Sequence, residues 1–232
     1  MKSPFGTDLK FVPTAEAAFI AEVSDRDMNR VVDERMLPES LVRTDGGRFF
    51  TPIAAALAHF YFSTEDIYVA RLRLRVLGEF AARMATCNEQ AAVLNLDRPC
   101  LDFNWRVAVA AGSMEVLVDA SAAVHASLDR VRQIREARAL VSIDPEVMGG
   151  MAVFVGTRVP VENIAASLDK GIDKQRLVDS WPYLTDKHFE AAKVYMRVHP
   201  RRGRSRRLSE LNPDWKIVSS GVVRPHSHGV TL

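Results

Sequence analysis

Residues 14–50 read TAEAAFIAEVSDRDMNRVVDERMLPESLVRTDGGRFF, and this stretch decides the N-terminal fold. Its first ten residues are alanine-rich. Ala17, Ile20, Ala21 and Val23 give one apolar face, with Thr14 placed to cap the start. Ser24 then caps a second helix, and Asp25 and Asp27 in its first turn complement the helix dipole. Met28, Val31 and Val32 are the apolar positions of that helix, and Pro38 ends the unit. Two short helices joined by a tight turn predict a helix-turn-helix. Leu41-Val42 and Phe49-Phe50 flank Asp45-Gly46-Gly47, a turn sequence that tolerates positive φ, so a small β-wing is expected next.

Thr51-Pro52 opens a further helix, with a threonine cap and proline at its first position. Residues 64–84 read as one longer helix with two apolar stripes. Ile67, Ala70, Leu74, Leu77, Ala81 and Met84 form the first; Val69, Leu72, Val76 and Phe80 form the second. Arg71, Arg73 and Arg75 separate them. A helix apolar on two sides needs two partners, so part of it is expected to form a dimer contact. Residues 105–119 predict a hairpin around Gly112-Ser113. A charged helix follows at 121–139, with Val124, Leu128, Val131 and Ile134 as its apolar face.

Residues 141–199 have a different texture. Two short β-type runs flank Gly149-Gly150. Helices are expected at 161–170, 173–180 and 186–198, with Gly171 as a C-terminal cap and Thr185 capping the last. Residues 200–232 are arginine-rich, contain proline and show no period, so they are expected to be extended or disordered until bound. The predicted class is α+β, mainly α. An N-terminal winged helix-turn-helix and central helices with a β-hairpin occupy 1–140, a small trihelical domain 141–199, and an extended basic tail 200–232.

The 232 residues carry a formal net charge of +2, which hides an uneven distribution. Residues 1–140 hold 17 basic and 19 acidic side chains, residues 141–199 hold 7 and 8, and residues 200–232 hold 7 and 2. The body is slightly acidic and the tail strongly basic, an asymmetry typical of a partner-binding tail. Cys87 and Cys100 form no C-x-x-C and are expected to be reduced thiols. No apolar run reaches the roughly 18–20 residues that span a bilayer, and Met-Lys-Ser-Pro-Phe-Gly lacks a signal-peptide core. A cytoplasmic protein with no membrane partner is expected.

Catalysis needs a recognisable constellation, and none is present. The histidines at 59, 125, 188, 199, 226 and 228 have no zinc-site spacing, and no phosphate-binding glycine loop or nucleophile elbow occurs. Asp144 and Glu146 around Pro145 fit a structural turn better than acid–base work. No enzyme activity, catalytic residue, cofactor or metal is expected. The second helix of a helix-turn-helix enters the major groove, and here its outward face offers Arg26, Asn29 and Arg30, with Asp33 beside them. Arg43 and Arg48 on the wing would reach the DNA backbone or minor groove. Residues 1–75 hold 10 basic and 11 acidic side chains, so charge adds nothing to this reading.

Residues 14–50 resemble the MerR-like winged helix-turn-helix, on Ala17, Ile20, Val23-Ser24, Met28, Val31, Leu37-Pro38 and Phe49-Phe50. The chain departs from that pattern at Met36, where glycine is usual, and at Asp27, where threonine is frequent. Residues 141–199 resemble a small domain of antitoxin-type proteins with the hallmark G-T-R-x-P-V, here Gly156-Thr157-Arg158-Val159-Pro160-Val161. Asp144-Pro145-Glu146, Gly149-Gly150, Gly171 and Trp181-Pro182-x-Leu184-Thr185 fit as well. From the residues alone, this motif reads as structural. Gly156 supplies an unusual backbone angle, Pro160 opens a helix, and Arg158 bonds the last carbonyls of a neighbouring helix.

The whole arrangement resembles VapB-type antitoxins of type II toxin–antitoxin pairs. The resemblance implies a VapC-type PIN-domain ribonuclease toxin as partner, neutralised by direct binding, and a homodimer that binds operator DNA to repress its own operon. The tail suits that task. Arg201, Arg202, Arg204, Arg206 and Arg207 pair bidentately with carboxylates, of which a Mg²⁺-dependent ribonuclease has several. Leu211, Trp215 and Ile217 supply apolar anchors, Trp215 contributing on the order of 2 kcal/mol when buried. Two alternatives stay open: a nonspecific nucleic-acid arm for the tail, and a stand-alone winged helix-turn-helix regulator with no toxin partner for the whole chain.

Overall fold

Helix α1 (Thr14–Ala21) begins directly after strand β1 (Val12–Pro13), and Pro13, not Thr14, is its N-cap. The Thr14 hydroxyl instead donates to the Arg48 carbonyl at 3.3 Å, tying the helix start to the neighbouring strand region. Ser24 caps α2 (Asp25–Asp33) as expected: its hydroxyl oxygen accepts from the Asp27 N–H at 3.1 Å. Strands β2 (Val42–Arg43) and β3 (Phe49–Phe50) follow, joined through Gly46 and Gly47 at φ 72° and 150°. The sheet order is β1-β3-β2, all antiparallel, with fully buried Phe50 opposite both Val12 and Val42.

These elements belong to a computed structural model that describes residues 10–87, 90–97 and 102–200. The chain is mixed α and β, mainly helical, with small antiparallel sheets. Its contacts divide it after Pro200. The tail residues Arg201, Arg202, Arg204, Arg206, Arg207, Leu211, Trp215 and Ile217 lie outside the described residues.

Helix α3 (Pro52–Ser63) is capped by Thr51, whose hydroxyl accepts from the Ala54 N–H. Its run of buried alanines lets α1 and α6 (Ser121–Ala139) approach closely. The single long helix expected at 64–84 is shorter. Thr64 bonds back to the Phe60 carbonyl and the Thr64 carbonyl accepts from Ile67 and Tyr68, so the chain turns and α4 starts only at Ala70 (Ala70–Ala85). Only Val76, Leu77, Phe80 and Met84 form a buried stripe, while Ile67 and Val69 fall in the turn and are exposed. A short helix α5 (Gln90–Leu94) follows.

Strands β4 (Arg106–Ala111) and β5 (Met114–Asp119) make the expected hairpin. Val107, Val109 and Val118 face the core. Arg83 of α4 donates to the carbonyls of Arg106 and Asn104 at 2.7 and 2.8 Å, and Arg75 donates to that of Ala110. Residues 75 and 83 are about 12 Å apart along a helix, and 106 and 110 about 14 Å apart along a strand, so α4 runs antiparallel to β4 along its free edge.

Strands β6 (Val141–Ile143) and β7 (Ala152–Phe154) pair antiparallel, and helices α7 (Val161–Asp169), α8 (Lys174–Ser180) and α9 (Asp186–Val198) complete residues 10–200. One apolar core lies among α1, α2, α3, α4, α6 and the β4–β5 hairpin, and a second lies among β7, α7, α8 and α9. Val194 of α9 packs against both.

Candidate nucleic-acid interface

The turn between α1 and α2 is held from three directions. The Glu22 and Val23 N–H groups bond back to the carbonyls of Phe19 and Ala18, a Schellman closure that puts Glu22 at φ 55°. Arg130 of α6 donates to the Ile20 carbonyl at 3.0 Å and pairs with Glu22. His59 of α3 sits 2.8 Å from the Ala21 carbonyl through Nδ1, which must therefore carry the proton. Burial pushes the His59 pKa below its usual value. The Arg130 cation adds to that, while the Ala21 carbonyl and Glu22 oppose it. Arg130 and His59 were not foreseen, because only the packing of α3 and α6 on α1 brings them to the turn.

The proposed contact residues have different surroundings. Arg26 is exposed on the first turn of α2. Arg30 is half-exposed and lies between carboxylates, 3.1 Å from Glu34 and 3.5 Å from Asp27. The hydroxyl of Ser24 holds the Asp27 carboxyl below its ordinary pKa, with Arg30 adding to the shift. Arg48 is engaged within the protein: it grips Asp33 bidentately at 2.7 and 3.2 Å and donates to the Asn29 carbonyl at 3.1 Å. The Arg43 guanidinium lies over the Phe11 ring, 4.0 Å from its centroid. The structure thus leaves Arg26 and the Asn29 side chain open on α2, and makes Arg48 the strut that fixes the wing to that helix. Helix α2 itself carries three carboxylates, Asp25, Asp27 and Asp33, against two arginines, Arg26 and Arg30.

The G-T-R-x-P-V segment forms a tight turn after β7. Gly156 has φ 73°. The Thr157 hydroxyl donates to the Phe154 carbonyl at 2.9 Å and accepts from the Val159 N–H at 3.1 Å. The Phe154 N–H closes the loop on the Val159 carbonyl, and Pro160 bridges to Val153 before capping α7. Gly156, Thr157 and Pro160 are therefore structural. Arg158 is exposed and caps no helix among the described residues, unlike the role expected for it.

Between α6 and α9 runs an open groove of about 790 Å³, floored by Ala137, Leu140, Ala191 and Val194 and rimmed by Glu136 and Lys187. Among the described residues no cluster of histidine, cysteine and carboxylate side chains could hold a metal ion. No helix there is long and apolar enough to cross a membrane.

Residues 141–196 match a family described as a protein of unknown function, DUF433. No solved structure matches the chain. Over 212 residues, 91% of each chain, it is 32% identical to the uncharacterized protein y4eO of Sinorhizobium fredii. At that identity over nearly the full length of both, the chain belongs to the same family as y4eO, with a DUF433 segment in its C-terminal half.

Proposed function

We propose that the chain is an antitoxin that neutralises a VapC-type PIN-domain ribonuclease through its basic tail and binds operator DNA as a homodimer through α2 and its wing. The observation that carries the DNA half is the local geometry. Two short helices meet at a doubly clamped turn, and Arg48 locks an antiparallel wing to the second helix. A reading helix and wing held as one body present their contacts without an ordering cost on binding. The toxin half rests on the G-T-R-x-P-V resemblance and on the cationic, tryptophan-bearing segment 201–232.

The test is co-expression with a PIN-like protein encoded by an adjoining reading frame. A stable complex with suppressed ribonuclease activity is expected, and failure to form any complex rejects the antitoxin reading. Operator binding is separable. A gel shift with the upstream DNA should show wild type binding and Arg26→Ala/Arg30→Ala not, and equally weak binding by both rejects it. The groove between α6 and α9 favours a second reading, a stand-alone regulator that binds an effector there. Under that reading the chain binds the upstream DNA and no toxin.

A further inference from the structure

The two edges of the β4–β5 hairpin are treated differently by the fold. The Ala120 N–H bonds the Trp105 carbonyl, which fixes the hydrogen-bond alternation along the ladder. Arg106, Ala108 and Ala110 therefore turn their backbone groups away from β5, and Glu115, Leu117 and Asp119 turn theirs away from β4. The outward β4 carbonyls are met by α4: Arg83 donates to that of Arg106 and Arg75 to that of Ala110. The β5 edge has no such cover. No backbone bond joins Glu115, Leu117 or Asp119 to any other described residue outside the hairpin. The six-residue strand holds no proline, and its register with β4 runs unbroken, without a bulge. These are the devices that usually blunt an exposed edge.

The side chains along this edge are graded in charge. Those of Glu115, Leu117 and Asp119 share the hairpin face opposite Val107, Val109 and Val118, which face the core. Leu117 is 69% exposed. Asp119 is engaged by Arg106 at 2.8 Å and by the Ser121 N–H at 2.9 Å. Glu115 is exposed, lies across from Ala110, and has no ion pair among the described residues.

We propose that the β5 edge binds an extended segment of a partner protein as a third strand, with an apolar residue opposite Leu117 and a basic residue opposite Glu115. Backbone pairing supplies the attachment, and the two side-chain positions select the sequence. A second copy of β5 fits poorly. Two-fold pairing centred on Glu115 or Leu117 sets carboxylate against carboxylate, and pairing centred on Val116 or Val118 sets a carboxylate against Leu117. A nucleic acid offers no strand to pair and meets the Glu115 charge with phosphate. This surface lies within residues 10–200, apart from the basic tail and from α2, so neither toxin nor DNA is needed to test it.

The probe is a synthetic peptide, acetyl-Thr-Thr-Val-Thr-Arg-Thr-amide, which in antiparallel register sets its valine opposite Leu117 and its arginine opposite Glu115. Amide hydrogen exchange of the full chain, read by NMR, should show Val116 and Val118 protected and Leu117 and Asp119 open, with the peptide slowing the latter two. N-methylation of the peptide valine, which removes the N–H facing Leu117, should weaken binding at least about tenfold. Exchanging the peptide arginine for glutamate should do the same, and Glu115→Lys should restore binding of that glutamate peptide. Leu117→Pro removes an outward N–H that the hairpin itself does not use, so it should keep the far-ultraviolet dichroism and lose the peptide. No slowing of exchange at about 1 mM peptide overturns the proposal. So does equal binding of the N-methylated peptide, or a glutamate peptide indifferent to Glu115→Lys. Leu117 and Asp119 amides already protected without peptide would also overturn it, because the edge would then be covered by this chain or a second copy.

Discussion

Arg35 sits at φ 49°, in the left-handed region, at the end of α2. Its N–H and that of Met36 bond to the carbonyls of Val32 and Val31, the same closure that ends α1 at Glu22. Glycine takes this conformation freely, whereas an L side chain strains there by about 1 kcal/mol or more. Arg35 is exposed and holds no ion pair among the described residues, so its replacement removes little else. Arg35→Gly is therefore expected to stabilise the chain by about 0.5–1 kcal/mol in urea unfolding, and Arg35→Val to destabilise it. His59 gives a second residue-level test. Its folded pKa is depressed chiefly by burial, so between that value and the usual 6.5 the unfolded chain binds a proton that the folded chain does not. Stability from this group is complete above pH 6.5 and is lost as the pH falls through the folded pKa. Thermal unfolding at pH 7.5 and 5.5 should show a loss at the lower pH that shrinks in His59→Gln.

The turn after β7 shows how an element is built around a few bonds. Thr157 closes the loop with its hydroxyl, and Gly156 provides a left-handed step with no atom within 4 Å of where a Cβ would stand. Gly156→Ala should then cost only backbone strain, about 1 kcal/mol. Thr157→Val removes both the donor and the acceptor and should cost about 1–3 kcal/mol. Equal effects in chemical denaturation would contradict this division of labour. Elements whose ends are marked by residue type were legible in the sequence: the Ser24 and Thr51 caps, the Gly46-Gly47 and Gly112 turns, and Gly171 closing α7 at φ 74°. Ends closed by Glu22, Arg35 and Leu96 in the left-handed region were not, because no glycine announces them. The break before α4 was hidden for a related reason. An apolar period continued through Ile67 and Val69, although local bonds from Thr64 had already ended the helix. At the candidate site, Arg26 and Asn29 on α2 could be read from helical spacing. The engagement of Arg48 with Asp33 and the clamp by His59 and Arg130 could not, since they join residues 15 to 110 positions apart.

Across the whole molecule, charge and fold are divided along the chain. Residues 1–199 hold three more acidic than basic side chains, while residues 200–232 hold five more basic than acidic. A basic tail on a near-neutral body suits either an acidic protein or nucleic acid, and the two partners respond differently to substitution. Arginines that pair with buried carboxylates of a ribonuclease act by geometry, so their loss should persist at high salt. Arginines that only neutralise phosphates act by counterion release, and each one lost should lower the slope of log K against log salt by about 1. The variant with Arg201, Arg202, Arg204, Arg206 and Arg207 all changed to alanine is therefore expected to leave ribonuclease activity unsuppressed in the co-expressed pair. It should bind upstream DNA with an unchanged salt slope, while Arg26→Ala should lower that slope by about 1 and leave neutralisation intact. If the tail variant still neutralises and its salt slope falls by several units, the segment is a nucleic-acid arm, and neutralisation belongs to a surface within residues 1–200.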